Sequence, residues 1–238
     1  MQLAADIIQT GLCRTRVGVH RPKPSLFIYP GLRAKPVWKA EKDSQLSNIA
    51  STLQTNYHII LQEYHNYRLI KSNDYNTDGD EHKLHSGEWN WVSYILKGKR
   101  ISEFAINCPQ TVEILESFNQ PKLMSNAPFS YTFFSTLGRQ SAIAAHYGPC
   151  NLRLRCHFPL IVPSLSSPSM PLKSTPADSL STDNQEKQQR EDEPEIGMRV
   201  GGELVQWQVN EPVFFDDTYE HSGKHHLKYA YILCTILI

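Results

Sequence analysis

The stretch Ser135-Thr-Leu-Gly-Arg-Gln-Ser-Ala-Ile-Ala-Ala-His146-Tyr-Gly148-Pro149-Cys-Asn151-Leu-Arg153-Leu-Arg155-Cys-His157-Phe decides how this chain is read. Its second half has strand character, and side chains on a strand alternate between two faces. Leu152, Leu154, Cys156 and Phe158 then share one face, and Asn151, Arg153, Arg155 and His157 share the other. On a surface strand the polar face would be solvated. On a strand lining a small barrel, two guanidinium groups and an imidazole would point inward and require an anionic partner. The alternation alone leaves both readings open.

A second stretch, Glu211-Pro-Val-Phe-Phe-Asp216-Asp217-Thr-Tyr-Glu220-His221, is an apolar strand that runs into an acidic turn and then a histidine. A lone histidine at a strand end is usually a hydrogen-bonded structural residue. Two histidines about 75 positions apart, His146 and His221, each beside a strand, are what a two-histidine iron site needs. Asp216 and Asp217 are read as shaping the turn that presents His221 rather than as an acid/base pair.

Working outward, residues 1–24 read as a tail, and Phe27 to Leu32 as a short extended piece closed by the Pro30-Gly31 turn signal. Ser44 to about Ile70 lacks Pro and Gly and repeats Leu46, Ile49, Leu53, Ile59, Leu61 and Tyr64 at helical spacing, which predicts a helix. Tyr57, Tyr64 and Tyr67 read as part of its core face. From Trp89 onward, short aromatic and β-branched runs separated by turns predict strands at Trp91–Leu96, Tyr131–Ser135, Asn151–Val162, Met198–Val200, Leu204–Val209, Val213–Asp216 and Lys228–Ile238. Gly201-Gly202 marks a hairpin. Many short strands suggest a sandwich or barrel. Residues 163–196, rich in Ser and Pro and then in Gln, Glu, Asp and Lys, contain no aromatic residue and read as a disordered insertion.

Composition excludes several classes. The 238 residues are 40% hydrophobic, which suits one domain with a sizeable core. Lys+Arg and Asp+Glu both number 24, and this balance argues against a nucleic-acid partner. The five cysteines are sparse and lack a Cys-x-x-Cys pair, so neither a disulfide framework nor a cysteine zinc site is expected; Cys150 and Cys156 read as wall packing. No run approaches the ~18 apolar residues of a membrane span. Met1 to Val19 lacks a signal-peptide core. Asp74-Tyr-Asn76-Thr-Asp78-Gly79-Asp80 opens like a calcium loop, but His85 stands where the closing glutamate is needed. His225-His226 reads as a solvated turn.

Three motifs are similar to the aspartyl/asparaginyl β-hydroxylase family: His-x-Gly-Pro-x-Asn-x-Arg-Leu-Arg-x-His at 146–157, Arg-Val-Gly-Gly-Glu at 199–203 followed by Trp207, and Phe-Asp-Asp-Thr-Tyr-Glu-His at 215–221. The run ending at Trp38 and the Gly87-Glu-Trp89 tripeptide also resemble it. The resemblance covers residues from about 27 to the end, outside the insertion. It implies a mainly β fold, a double-stranded β-helix (a jelly-roll, cupin-like barrel) with N-terminal helical elements, within one domain spanning 25–238. It further implies a dioxygenase that uses Fe(II), 2-oxoglutarate and O2, releases succinate and CO2, and hydroxylates the β-carbon of Asp or Asn in a protein substrate, with EGF-like domains the expected targets. His146 and His221 match the iron ligands. The third ligand of the wider superfamily, a carboxylate two residues after the first histidine, is Gly148 here, as the family pattern has it. Arg155, His157, Ser135 and Trp89 match positions that bind or adjoin 2-oxoglutarate. Lys228 stands where the family has an arginine, after a loop about three residues shorter, so the bidentate fork is lost. That departure keeps open an inactive, binding-only member of the family. Family members are often membrane-anchored, with this domain in the endoplasmic reticulum lumen; this location rests on the resemblance alone.

Overall fold

In the β-rich half, the run Tyr231–Leu237 (strand β12) is apolar on both faces because both are covered. Ile232, Cys234 and Ile236 pack toward a helical layer, while Leu233 and Leu237 pack toward a second sheet. The same two-residue alternation repeats on β5 (Thr132–Leu137) and β7 (Arg155–Ile161), the two neighbours of β12. Phe134, Cys156 and Phe158 face the helices. Phe133 and Leu137 face inward with Ser135, Arg155 and His157.

The computed structural model describes residues 22–74, 84–163, 196–225 and 231–238. Among them the larger sheet has the order β1-β10-β7-β12-β5-β3-β4, with β1 Val37–Trp38, β3 Trp89–Leu96, β4 Lys99–Arg100 and β10 Val213–Phe215. The smaller sheet has the order β2-β6-β11-β8-β9, with β2 Leu84–Ser86, β6 Ala142–His146, β8 Ile196–Val200, β9 Glu203–Gln206 and β11 His221–His225. Every paired strand is antiparallel. The two sheets share no strand, so the expected barrel is not closed: the chain forms a mainly β sandwich with a few helices on one side. Gly201-Gly202 does turn β8 into β9, with φ values of 55° and 86° that glycine adopts without a steric penalty.

The helical prediction needs one correction. Residues 44–68 form two helices, α1 Ser44–Thr55 and α2 Tyr57–Arg68, broken at Asn56. The Asn56 side chain donates to the Thr52 carbonyl at 2.8 Å, offering that backbone group an alternative to the helical ladder. Two short helices, α3 Ser102–Asn107 and α4 Pro109–Glu116, follow β4. Neither was expected. Pro109 opens α4, and the buried Glu63 carboxylate of α2 accepts from the free Gln110 and Thr111 amides. Tyr64 and Tyr67 lie in the core as expected, and the Tyr57 hydroxyl donates to the Leu160 carbonyl.

Strand limits also shift. The expected Asn151 strand begins at Arg155, so Leu152 is 45% exposed rather than packed, and the Leu204 strand ends at Gln206. β6 and β11 were not expected as strands. The insertion (164–195 of it), the calcium-like loop beyond Asp74, His226 and most of the 1–24 tail lie outside the described residues, whereas His225, expected in a turn, ends β11 opposite Ile196. The four described cysteines, Cys108, Cys150, Cys156 and Cys234, are buried. No described helix is long and apolar enough to cross a membrane.

Candidate functional site

β6 ends at His146 and β11 begins at His221, and the two residues are direct cross-strand partners on the smaller sheet. Directly opposite residues face the same side. Their rings meet at 4.0 Å between centroids, tilted by 52°. Each ring is anchored at Nδ1 by a carbonyl two residues upstream: Ala144 at 2.8 Å for His146, Tyr219 at 3.0 Å for His221. A ring that donates from Nδ1 keeps its lone pair on Nε2. The Nε2 of His221 is buried and takes no hydrogen bond. Burial, the neighbouring His146 and Arg155 together hold the His221 pKa well below the usual histidine range, so the ring is neutral at physiological pH. A neutral imidazole with one nitrogen tied back and the other bare is the form a metal takes. Among the described residues no group of three or more His, Cys, Asp or Glu side chains gathers around them.

The larger sheet supplies the facing wall. Ser135 on β5, Arg155 and His157 on β7 and Trp89 on β3 line the same cavity as His146 and His221, about 40 Å³ in volume. The remaining walls are mostly apolar, from Phe133, Leu137, Ile143, Met198, Trp207 and Leu233, with Ser222, Gly223 and Thr235 completing them. The Trp89 indole N–H donates to the Ser135 hydroxyl at 2.8 Å, across neighbouring strands. His157 is half-buried, and desolvation together with Arg155 pushes its pKa well below the usual value; its Nδ1 is buried and takes no hydrogen bond. Six of the residues singled out in the sequence therefore converge on one cavity from two sheets. Lys228 lies outside the described residues.

Arg153 carried no role in the sequence reading, and Asp217 was read there only as shaping the turn before His221. Arg153 precedes β7, and its buried guanidinium donates to Asp217 at 2.6 Å and to the Phe129 carbonyl. The same Asp217 oxygen lies 3.1 Å from Arg155. Burial alone would raise the Asp217 pKa, but the two guanidiniums and the hydrogen bond from Arg153 hold it well below the carboxylate range. Asp216 behaves as expected, accepting from the Thr218 amide and hydroxyl within the turn before His221. A side chain added at Gly148 would collide with the Asp217 carboxylate. The glycine two residues after His146 and the aspartate four residues before His221 occupy the same corner.

A sequence profile of aspartyl/asparaginyl β-hydroxylases matches residues 54–232, three quarters of the chain. The chain belongs to the aspartyl/asparaginyl β-hydroxylase family. It is 24% identical over 204 residues to aspartate beta-hydroxylase domain-containing protein 2 of Mus musculus, covering 85% of this chain and 49% of that protein. The Xenopus tropicalis counterpart is 26% identical, with 85% and 46% covered. The aspartyl/asparaginyl beta-hydroxylase of Homo sapiens is 22% identical over 197 residues, with 83% of this chain and 22% of that protein covered. The chain thus spans about half the length of the first two relatives and about a fifth of the third. The match of this family includes β6, β7, β10 and β11, the strands that carry His146, Arg155, His157 and His221.

Proposed function

We propose that this chain is an Fe(II)/2-oxoglutarate-dependent dioxygenase that hydroxylates the β-carbon of Asp or Asn in a protein substrate, with EGF-like domains as the expected class. The observation that supports it most is the cross-strand pair of histidines facing Arg155, His157 and Ser135 across one cavity, in a member of this family. His146 and His221 would hold the iron through Nε2. When bound, iron with 2-oxoglutarate and O2 supplies the oxidising equivalent. The remaining work belongs to the protein. Arg155 offers a guanidinium to a carboxylate, and Ser135 and the neutral His157 offer hydrogen-bonding groups of moderate strength. Trp89 orients the Ser135 hydroxyl by donating to it. The apolar walls keep bulk water from the reacting centre. The strand order, with β5-β12-β7-β10 facing β6-β11-β8-β9, supports reading the sandwich as a jelly roll.

One observation favours a second reading, an inactive member that only binds. Asp217 already sits beside Arg155, so an incoming carboxylate meets a resident anion. Lys228 in place of arginine points the same way.

Anaerobic titration with Fe(II) and 2-oxoglutarate tests the site, through the metal-to-ligand charge-transfer absorption in the visible. The band is expected in the wild type and lost in His146→Ala and His221→Ala. Peptide-dependent succinate release then separates the readings: release supports the dioxygenase, and a band without release supports the binding module. A folded wild type with no band would overturn the oxygenase assignment.

A further inference from the structure

The ladder that holds the two histidines opposite one another is short and irregular. β6 and β11 pair at His146↔His221, Ile143↔Gly223 and Ala142↔Lys224, and the register slips between His221 and Gly223. A bulge of this kind locally disrupts the ladder and lets the strand bend. On the other side the strands stop at the histidines themselves. The Nδ1 anchors come from Ala144 and Tyr219, each on its own ring's side of the pair, so they fix each ring within its strand and not across the gap.

One rung beyond the histidines, on the opposite face by alternation, the Tyr147 hydroxyl donates to the Glu220 carboxylate at 2.7 Å. A phenol–carboxylate bond is charge-assisted and stronger than a neutral one. Tyr147 directly follows His146, and Glu220 directly precedes His221. The bond therefore joins the two ligand-bearing segments just beyond the end of the β6–β11 ladder. Further out, the Gly148 amide donates to the Asp217 carbonyl at 2.5 Å, and the Lys23 ammonium lies 5.4 Å from the Tyr147 ring centroid.

We propose that Tyr147 and Glu220 form a clasp that positions His146 and His221 for metal binding; this rests on reading these two histidines as the metal ligands. The clasp touches neither metal nor cosubstrate. Its effect is on the spacing of the two Nε2 atoms; partners bonded directly to a ligand typically contribute ~10–100-fold in metal affinity, and the clasp, one residue further out, is expected at the lower end of that range.

The test is direct Co(II) titration of the full chain, read by its visible absorption, beside a thermal unfolding midpoint for each variant. Tyr147→Phe keeps the ring and removes the donor; it is expected to bind Co(II) about tenfold more weakly, with little change in midpoint. Glu220→Ala is expected to match it. Glu220→Gln retains an acceptor and is expected to recover most of the affinity. Wild-type affinity in Tyr147→Phe, while His146→Ala abolishes binding, would overturn the clasp and leave the ligand assignment standing. Co(II) binding that survives His146→Ala, or is missing from the wild type, would overturn the ligand assignment and the clasp with it. Should Tyr147→Phe not fold, the Glu220 pair decides: equal affinity in Glu220→Ala and wild type sinks the proposal.

Discussion

Asp217 is a buried anion shared by two guanidinium groups. It is fully buried, and it neutralises Arg153, whose side chain is also fully buried, while touching Arg155. Removing one member of a buried ion pair leaves the other charged and desolvated, which typically costs ~3–5 kcal/mol. Asp217→Ala is expected to lose stability on that scale in urea denaturation, far more than a surface aspartate would. Gly148 tests the same corner from the other side. Restoring the carboxylate of the wider superfamily with Gly148→Asp would drive a side chain into Asp217, so the variant is expected to lose ~1–3 kcal/mol rather than gain a metal ligand. Asp216 behaves oppositely to its neighbour. Burial, opposed by its hydrogen bonds to Thr218, pushes its pKa up to about 6. The native state then holds this proton more tightly than the unfolded chain, whose aspartate titrates near 3.9. Its contribution favours folding below about pH 4 and is lost as pH rises through about 6. Asp216→Asn, which keeps an acceptor for Thr218, should therefore gain on the wild type between pH 4 and pH 7. Paired unfolding curves across that range check this, and a constant difference would count against it.

At the scale of elements, the outcome followed how strongly local chemistry spoke. α1 begins where Asp43 accepts from the Gln45 and Leu46 amides, an N-cap whose removal in Asp43→Ala is expected to cost about 1 kcal/mol in a denaturant melt. Strands built from aromatic and β-branched residues were legible: β3, β5, β7, β10 and β12 all fell within or beside the runs that predicted them. β6 and β11 were not. β6 reads Ala-Ile-Ala-Ala-His and β11 reads His-Ser-Gly-Lys-His, compositions with weak strand preference that become strands because neighbours on both sides pair with them. These are the strands that bring the two histidines together. His146 and His221 were found through motif resemblance, and their direct opposition was not readable. α3 and α4 were missed because helices of six and eight residues carry too little periodicity to stand out. The alternation at 151–158 gave Arg155 and His157 their correct face. It failed at Leu152 because the strand had not yet begun.

For the whole molecule, the layering is helices, larger sheet, cavity, smaller sheet, and it makes ligand occupancy a global matter. Groups from six strands, β3, β5, β7, β8, β11 and β12, meet in the cavity with His146 of β6. Anything that binds there and not to the unfolded chain stabilises the whole fold by RT ln(1 + [L]/Kd), ~2.7 kcal/mol at a hundredfold excess over Kd. Mn(II) with 2-oxoglutarate is expected to raise the thermal midpoint of the wild type, with the gain reversed by a chelator and missing from His221→Ala. A gain that survives in His221→Ala would place the metal elsewhere.

The imidazoles of His146 and His221 belong to one sheet, and the guanidinium, hydroxyl and third imidazole to the other. On the function proposed above, the two sheets act as the jaws of a calliper, and the gap between them is a ruler for the cosubstrate. A dicarboxylate one carbon shorter or longer would meet the jaws at the wrong opening. Discrimination by length would then be set by sheet-to-sheet packing as much as by the side chains that touch the ligand. Core substitutions between the sheets, at Leu233 or Met198, should retune which diacid fits without altering a single polar contact.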